Sequence, residues 1–330
     1  MMRTPSFWYN GPGFLAWFLS PLGWLYSRAT AQRLNKTITV IRAQSPVICI
    51  GNVNAGGTGK TPTIIAMVEH LQKLGWTAVV VSRGYGKNLK VPTLVNPLVH
   101  SSDQVGDEPL LIAAFCQIIV TNNRVAGIEL ASKGKPDVIL MDDGFQDPTV
   151  HKDFSIITVD ASLGFGNGFC IPAGPLREPV LTGLKRADMC LLIGSKETQN
   201  KFLEKLAFPL SVTQVVAEVK PLLTGMRWEG LNAFAFAGIA HPEKFFLTLE
   251  GLGVNILGRE ALSDHQPLSL SLMRRMSAKA KLLNAQLVCT DKDFVRVPLN
   301  YRAEVLVLPV RLEIEDWSKI DLKLADLGLT

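Results

Sequence analysis

Val47-Ile48-Cys49-Ile50-Gly51-Asn52-Val53-Asn54-Ala55-Gly56-Gly57-Thr58-Gly59-Lys60-Thr61 is the stretch on which the fold turns. Four apolar residues, 47–50, suit a short buried strand. A glycine-dense turn follows, and Gly59-Lys60-Thr61 then opens an apolar-periodic helix expected over residues 63–74. Strand, glycine turn and helix in this order are the sequence form of a phosphate-binding loop. Backbone N–H groups from Asn54, Ala55, Gly56, Gly57, Thr58 and Gly59 would wrap a nucleotide polyphosphate, and the helix start adds its positive end. Lys60 is expected to reach the β- and γ-phosphates, and the Thr61 hydroxyl to ligate Mg²⁺. The strict pattern G-x-x-x-x-G-K-[ST] has Gly where this chain has Asn54, a mild change because Asn tolerates left-handed backbone better than most residues.

Outward from the loop, apolar strands alternate with helical patterns, the signature of a mainly parallel sheet with helices on its faces. Strands are expected near 47–50, 78–82, 118–121, 138–141, 155–160 and 189–193, with helices near 63–74, 108–115 and 124–133. Residues 164–179 are rich in Gly and Pro and read as a structured loop. Past about residue 222 a second series begins, with strands at 233–237, 286–289 and 305–309 and helices at 242–252 and 268–283. The fold class is therefore α/β: a phosphate-loop NTPase-like sheet, a smaller second α/β domain and an N-terminal membrane-interacting helix. The expected divisions are 1–42, 43–222 and 223–330, within the roughly two domains that this length accommodates.

The remaining chemistry lies at strand ends and in turns. Asp137-Val138-Ile139-Leu140-Met141-Asp142-Asp143 is an apolar strand ending in two carboxylates, and beside a phosphate loop such a strand offers its acids to Mg²⁺. Arg83 sits where a second strand ends, on the sheet edge that holds the nucleotide. Arg124 and Arg177 supply further cations in turns, each individually closer to an ordinary surface charge. On physical grounds alone, Gly106-Asp107-Glu108-Pro109 reads as a helix cap, with early acids complementing the dipole and Pro109 in the first turn. Asp264-His265 reads as an exposed turn.

Charge and hydropathy single out the N-terminus. No Asp or Glu precedes Glu69, whereas Arg3, Arg28, Arg33, Lys36, Arg42 and Lys60 do, so the first fifth of the chain carries more than the whole net charge of +5. That region contains Phe14-Leu15-Ala16-Trp17-Phe18-Leu19-Ser20-Pro21-Leu22-Gly23-Trp24-Leu25-Tyr26. It is too short for the ~20 residues that span a bilayer, and Pro21 and Gly23 are expected to interrupt a helix. Ala29-Thr30-Ala31 resembles a signal cleavage site, but the basic residues follow the apolar run instead of preceding it. An interfacial anchor, aromatic and followed by basic side chains, is favoured over a helix docked on the protein's own core. Five scattered cysteines without C-x-x-C spacing suggest reduced thiols, with neither a disulfide frame nor a zinc site. No nucleic-acid partner is expected.

Together, Gly56-Gly57-Thr58-Gly59-Lys60-Thr61-Pro62, Ser82-Arg83-Gly84-Tyr85-Gly86, Gly106-Asp107-Glu108-Pro109 and Asp142-Asp143-Gly144-Phe145-Gln146 resemble the tetraacyldisaccharide 4′-kinases of lipid A biosynthesis. So do Pro172-Ala173-Gly174-Pro175-Leu176-Arg177-Glu178-Pro179, Ala235-Phe236-Ala237-Gly238-Ile239, Asp264-His265 and Thr290-Asp291-Lys292-Asp293, all in the family's order along nearly the whole chain. The resemblance implies transfer of the ATP γ-phosphate to the 4′-hydroxyl of a tetraacylated disaccharide 1-phosphate, with Mg²⁺, at the inner face of the cytoplasmic membrane of a Gram-negative bacterium. It implies that Asp107 accepts the sugar proton and that His265 orients and polarises it, which replaces the capping role; on physical grounds a nearby imidazole could also tune Asp107 and relay the proton. It also implies that Asp142 and Asp143 organise Mg²⁺ and phosphate, with Glu108 a weaker metal candidate. Lys60 joins them in catalysis, and Arg83, Arg124, Gln146 and Arg177 are expected to contact substrate. Because His265 lies in the second expected domain and Asp107 in the P-loop domain, the pair requires the two domains to face one another across the nucleotide, and closure on substrate is expected. Two positions depart from the family: Asp147 stands where His is usual, with His151 a possible substitute, and Asp291 stands where Glu is usual.

The rival expectation is a partitioning-type ATPase or GTPase switch. Ala55 stands where the partitioning enzymes carry their signature lysine, and Thr290-Asp291-Lys292-Asp293 has the wrong spacing for reading guanine.

Overall fold

The computed structural model describes residues 5–36, 39–84, 89, 91–222 and 224–329. Tyr85 and Gly86 of the expected arginine motif lie outside the described residues. The strands are β1 (Val47–Gly51), β2 (Ala78–Ser82), β3 (Thr93–Leu94), β4 (Gln117–Val120), β5 (Val138–Asp142), β6 (Phe154–Asp160), β7 (Met189–Ile193), β8 (Thr213–Pro221), β9 (Asn232–Ala237), β10 (Asn255–Ala261), β11 (Gln286–Thr290), β12 (Val305–Leu308) and β13 (Val310–Ile314). The helices that matter below are α1 (Phe14–Asn35), α2 (Lys60–Lys73), α3 (Ser102–Val105), α4 (Asp107–Ile112) and α5 (Arg124–Lys133).

Nine strands form one sheet in the order β13-β8-β7-β6-β1-β5-β2-β4-β3. The pairs from β8 through β4 are parallel, and β3 adds an antiparallel edge. Strands β1, β5 and β7 are buried along their whole length, as expected where helices cover both faces of a parallel sheet. The register Ile50↔Asp142 sets the end of β5 directly beside the end of the strand that feeds the loop. A four-stranded parallel sheet, β10-β9-β11-β12, has its own core, built on one face from Phe234, Phe236, Met273, Met276 and Leu287. Cys49, Cys190 and Cys289 are core residues of these sheets, and burial pushes the Cys49 thiol up to about 11.

The chain divides into two compact units. The larger comprises Thr4–Val95, Ile112–Val219 and Leu312–Thr330; the smaller comprises Asn96–Leu111 and Lys220–Arg311. The expected boundary at 222/223 lies close to one crossing, but two segments fall elsewhere than expected. Residues 96–111, with α3 and most of α4, leave the larger unit after β3 and belong to the smaller one. The C-terminal segment returns to the larger unit, where His70 of α2 stacks on Trp317 with ring centroids 3.8 Å apart and contacts Asp321 Oδ1 at 2.6 Å.

Residues 14–35 do not stand apart as a separate segment: α1 is part of the larger unit, and it runs unbroken through Pro21 and Gly23. Pro21 cannot donate to the carbonyl four residues earlier. That carbonyl, Trp17 O, instead accepts from the Ser20 hydroxyl at 2.8 Å. Gly23 lies at a close crossing, since a Cβ there would meet the Cys170 carbonyl oxygen at 2.8 Å. The residues α1 buries are Ala16, Gly23 and Thr30, a stripe at seven-residue spacing. Its large side chains face outward, with Phe14, Trp17, Phe18 and Trp24 all more than half exposed. Gly23→Val should therefore lift α1 and lower unfolding stability by about 1–3 kcal/mol, the usual cost of overpacking. An unchanged urea midpoint would show that α1 does not rest there.

Candidate active site

The glycine turn keeps the shape the sequence requires. Gly56 and Gly59 have φ of 119° and 86°, and a Cβ on Gly59 would lie 2.5 Å from Ile193 Cδ1. Asn52 Nδ2 donates to Gly56 O (3.2 Å) and Thr58 Oγ1 (2.8 Å), cross-bracing the loop from within. Asn54 does not use the left-handed freedom that its residue type allows, because it is not among the described residues with positive φ. Its side chain donates instead to Gly164 O at 2.9 Å. Ala55 N donates to Pro175 O, and Arg177 N to Val53 O. The Gly- and Pro-rich segment 164–179 thus backs the phosphate loop, and it is held in turn by Trp8, whose Nε1 donates to Pro172 O at 3.0 Å. Among the described residues, no hydrogen bond uses the amides of Gly57, Thr58 or Gly59.

Asp142 ends β5 and is buried; its Oδ2 accepts from the Ser82 hydroxyl at 2.6 Å. Asp143 adopts φ 50°, a conformation rare outside glycine that Asp and Asn visit most readily. This turn points its carboxylate at cations: Arg177 Nη1 is 2.7 Å and Lys60 Nζ 3.5 Å from Oδ1. Arg124 Nη2 donates to the Asp143 carbonyl at 2.8 Å. Partial burial opposes ionisation of Asp143, but the charges of Lys60, Arg177 and Arg124 outweigh it and hold the carboxyl well below its ordinary range. Phe145 anchors the turn beneath β1, where a Cβ on Gly51 would lie 2.6 Å from it. Gln146 ties the turn down, donating to Asn52 O and to Glu178 Oε1 at 2.8 and 2.9 Å.

Thr61 lies in the first turn of α2, half-buried beside Lys60. Arg83 is exposed just past β2. Arg124 is buried, and its Nη1 has no hydrogen-bond partner among the described residues. A buried guanidinium nitrogen left open beside free loop amides fits an anionic ligand, since protein donors of this kind are seldom left unpaired. Asp147, where the family usually carries His, braces the same arginine: its Oδ2 lies 3.4 Å from Arg124 Nε. His151 does not take over that place, because its Nε2 faces Asp153 at 3.3 Å.

In the smaller unit, Asp107 opens α4 after Gly106, whose φ of 98° turns the chain. Its buried carboxylate goes to side chains: Oδ2 lies 2.8 Å from His265 Nδ1 and 3.3 Å from Arg296 Nε. His265 sits in a turn with φ 57°, held by its own N–H to Gly238 O. Asp107 and His265 occupy one compact unit, so the pair forms without any meeting of the two units, contrary to the expectation from sequence position. Glu108, a metal candidate from sequence, lies 3.3 Å from Lys292 Nζ.

Sequence reasoning missed the support beneath this pair. Thr290, Asp291, Lys292 and Asp293 each do something different. Thr290 caps the short helix Asp291–Phe294, Asp291 faces Arg311 at 3.8 Å, and Lys292 faces His265. Asp293, fully buried, accepts from Gly238 N at 3.0 Å and pairs with Arg296. Arg296 in turn donates to Gln266 O and Gly238 O at 2.6 and 3.1 Å. A Cβ on Gly238 would meet Arg296 Nη2 and Asp293 Oδ1, both at 3.0 Å, so this glycine lets the network close. The quoted motif marked the place; only the fold shows that Lys292 and Arg296 point at the pair.

The family model for tetraacyldisaccharide-1-P 4′-kinase, LpxK, matches residues 15–327. The chain belongs to the tetraacyldisaccharide-1-P 4′-kinase family. It is 52% identical over 320 residues to the tetraacyldisaccharide 4′-kinase of Dinoroseobacter shibae, covering 96% of this chain and 94% of that protein. It is 47% identical to the one from Jannaschia sp., with 97% of each covered. The crystal structure of LpxK from Aquifex aeolicus in complex with ATP shares the fold, with a TM-score of 0.76 at 23% identity over 95% of this chain and 99% of that one. This 4′-kinase chain is thus an α/β phosphate-loop enzyme, and the partitioning-type ATPase or switch reading is set aside. Among the described residues, no helix is long and apolar enough to cross a membrane.

Proposed function

We propose that this chain transfers the γ-phosphate of ATP to the 4′-hydroxyl of a tetraacyldisaccharide 1-phosphate, giving the 1,4′-bisphosphate. Family membership supports the reaction class. The observation that carries the residue assignment is the cationic cluster on Asp143 beside unpartnered loop amides, together with a buried Asp107–His265 pair. The amides of residues 54–59 and Lys60 hold the polyphosphate, and Arg124 and Arg177 offset its charge. Thr61, Asp142 and Asp143 are hard oxygen donors of the kind that share a magnesium ion with substrate phosphates. That ion, when bound, neutralises charge developing on the transferred group. Glu108, already paired with Lys292, is assigned to holding that lysine and not to the metal. Asp107 accepts the sugar hydroxyl proton as the oxygen bonds to phosphorus and the bond to the β-phosphate oxygen breaks. Arg83 remains a substrate contact through its exposed position, whereas Gln146, proposed as one from sequence, serves the substrate indirectly by holding the Asp143 turn.

Labelled ATP and the disaccharide lipid in detergent micelles test the reading. Label is expected on the sugar. Release of free phosphate without lipid, with GTP preferred, would overturn it.

The outward aromatic face of α1 and the acid-free charge around it support attachment to an anionic membrane surface, proposed as the cytoplasmic face of the inner membrane. Replacing Phe14, Trp17 and Phe18 by Ser should abolish flotation with vesicles containing anionic lipid. Undiminished flotation would remove α1 from that role.

A further inference from the structure

His265 presents its two ring nitrogens to two different partners. Nδ1 lies 2.8 Å from Asp107 Oδ2, and Nε2 lies 3.3 Å from Lys292 Nζ. A lysine ammonium has three donors and no acceptor. Nε2 can therefore join that contact only through its lone pair, which leaves the single ring proton on Nδ1. The other acidic neighbour, Asp264 Oδ1, is 3.7 Å from Nε2, too far to accept a proton from it. Lys292 is fixed in place by Glu108 at 3.3 Å and Asp264 at 3.7 Å. The left-handed turn at His265 sets the ring between its two partners.

We propose that Lys292 is a positioning residue that locks His265 as the neutral Nδ1–H tautomer. In that form His265 donates to Asp107 and cannot take its proton, because Nδ1, the nitrogen that faces Asp107, already carries the ring proton, and the ammonium donor at Nε2 keeps that proton from moving to the other nitrogen. Asp107 is then the terminal proton acceptor, with Oδ2 shared between His265 and the Arg296 guanidinium and Oδ1 left for the sugar hydroxyl. This differs from the proton relay that a nearby imidazole would allow on physical grounds. It deepens the proposed function and rests on Asp107 being the base; the tautomer itself does not depend on that role. A partner on one imidazole nitrogen commonly sets which tautomer the other presents. In the Ser-His-Asp triad the wrong tautomer costs about 10⁴ in kcat.

The test is nitrogen NMR of the full chain labelled at its histidine ring nitrogens, without ATP or lipid. The sequence has five histidines, so the His265 signals are those lost in His265→Gln. Wild type is expected to show protonated Nδ1 and unprotonated Nε2 at neutral pH. Lys292→Met should shift the ring toward Nε2–H and lower kcat about 10–100-fold with little change in KM, and Lys292→Arg, which keeps a donor, should restore both. A wild-type ring that is Nε2–H or doubly protonated overturns the proposal, whatever the variants do. So does a folded Lys292→Met protein with the wild-type signature. Failure of label transfer by wild type would instead strike the proposed function and leave the tautomer result standing.

Discussion

Asp107→Asn is expected to lower kcat about 10²–10⁴-fold while leaving the KM for ATP nearly unchanged. The side chain keeps its shape, so His265 can still donate to the remaining oxygen, but the group no longer accepts a proton from an alcohol. The loss corresponds to about 3–5 kcal/mol of transition-state stabilisation. A fold-level effect must be separated from it, because Arg296 is buried beside Asp107 and loses a counter-charge. Arg296 nevertheless keeps Asp293, Gln266 O and Gly238 O, so the stability cost should stay within about 1–3 kcal/mol. Thermal melts that move by a few degrees while kcat falls by two orders or more would place Asp107 in the chemistry. Full transfer by the variant would remove it from the mechanism.

Asp107 also shows where sequence reading stops. The residues alone made it a helix cap, because Asp suits an N-cap, Pro the first turn, and early acids complement the helix dipole. Its carboxylate instead turns to His265, 158 positions away. Nothing local encodes that pairing; it comes from residues 96–111 belonging to the unit of 220–311. The phosphate loop was legible because its function is itself local: strand, glycine turn and helix occupy fifteen consecutive residues. Strands such as β1, β2, β5 and β7 were legible for a related reason, since continuous apolar runs mark buried parallel strands. The missed ones lie toward the outside of their sheets; β3 is only two residues long, and β8, β10 and β13 carry charge. Strand β10, a sheet edge, holds Arg259 and Glu260, and β8 alternates between buried and exposed positions with Glu218 and Lys220 among them. Charged edges discourage pairing with other chains, and they also dilute the apolar signal that reveals a strand. Pro21 misled for the opposite reason: a rule about one missing donor was answered by one hydroxyl, that of Ser20.

Lys60→Ala is expected to reduce kcat/KM about 10²–10³-fold, the usual cost of deleting one preorganised donor at developing charge. The geometry adds a sharper expectation. Lys60 shares Asp143 with Arg177 and, through the main chain, with Arg124. Removing the lysine leaves two cations that still favour the ionised carboxylate. Asp143 has a depressed pKa, so its charge is present above the folded-state value and is lost only as pH falls through it. The variant's activity should therefore show no new acidic limb between about pH 5 and 8, well above an unperturbed Asp near 3.9. Asp143→Asn does the reverse, leaving three cations without their shared counter-charge and loosening the turn that carries Gln146. Because both residues act through one cluster, the double variant should lose less than the sum of the single losses, with a coupling of about 0.5–3 kcal/mol. Strict additivity would mean that Lys60 and Asp143 serve the phosphates independently. A new acidic limb in Lys60→Ala would mean that Lys60 alone keeps Asp143 ionised, against the shorter distance to Arg177.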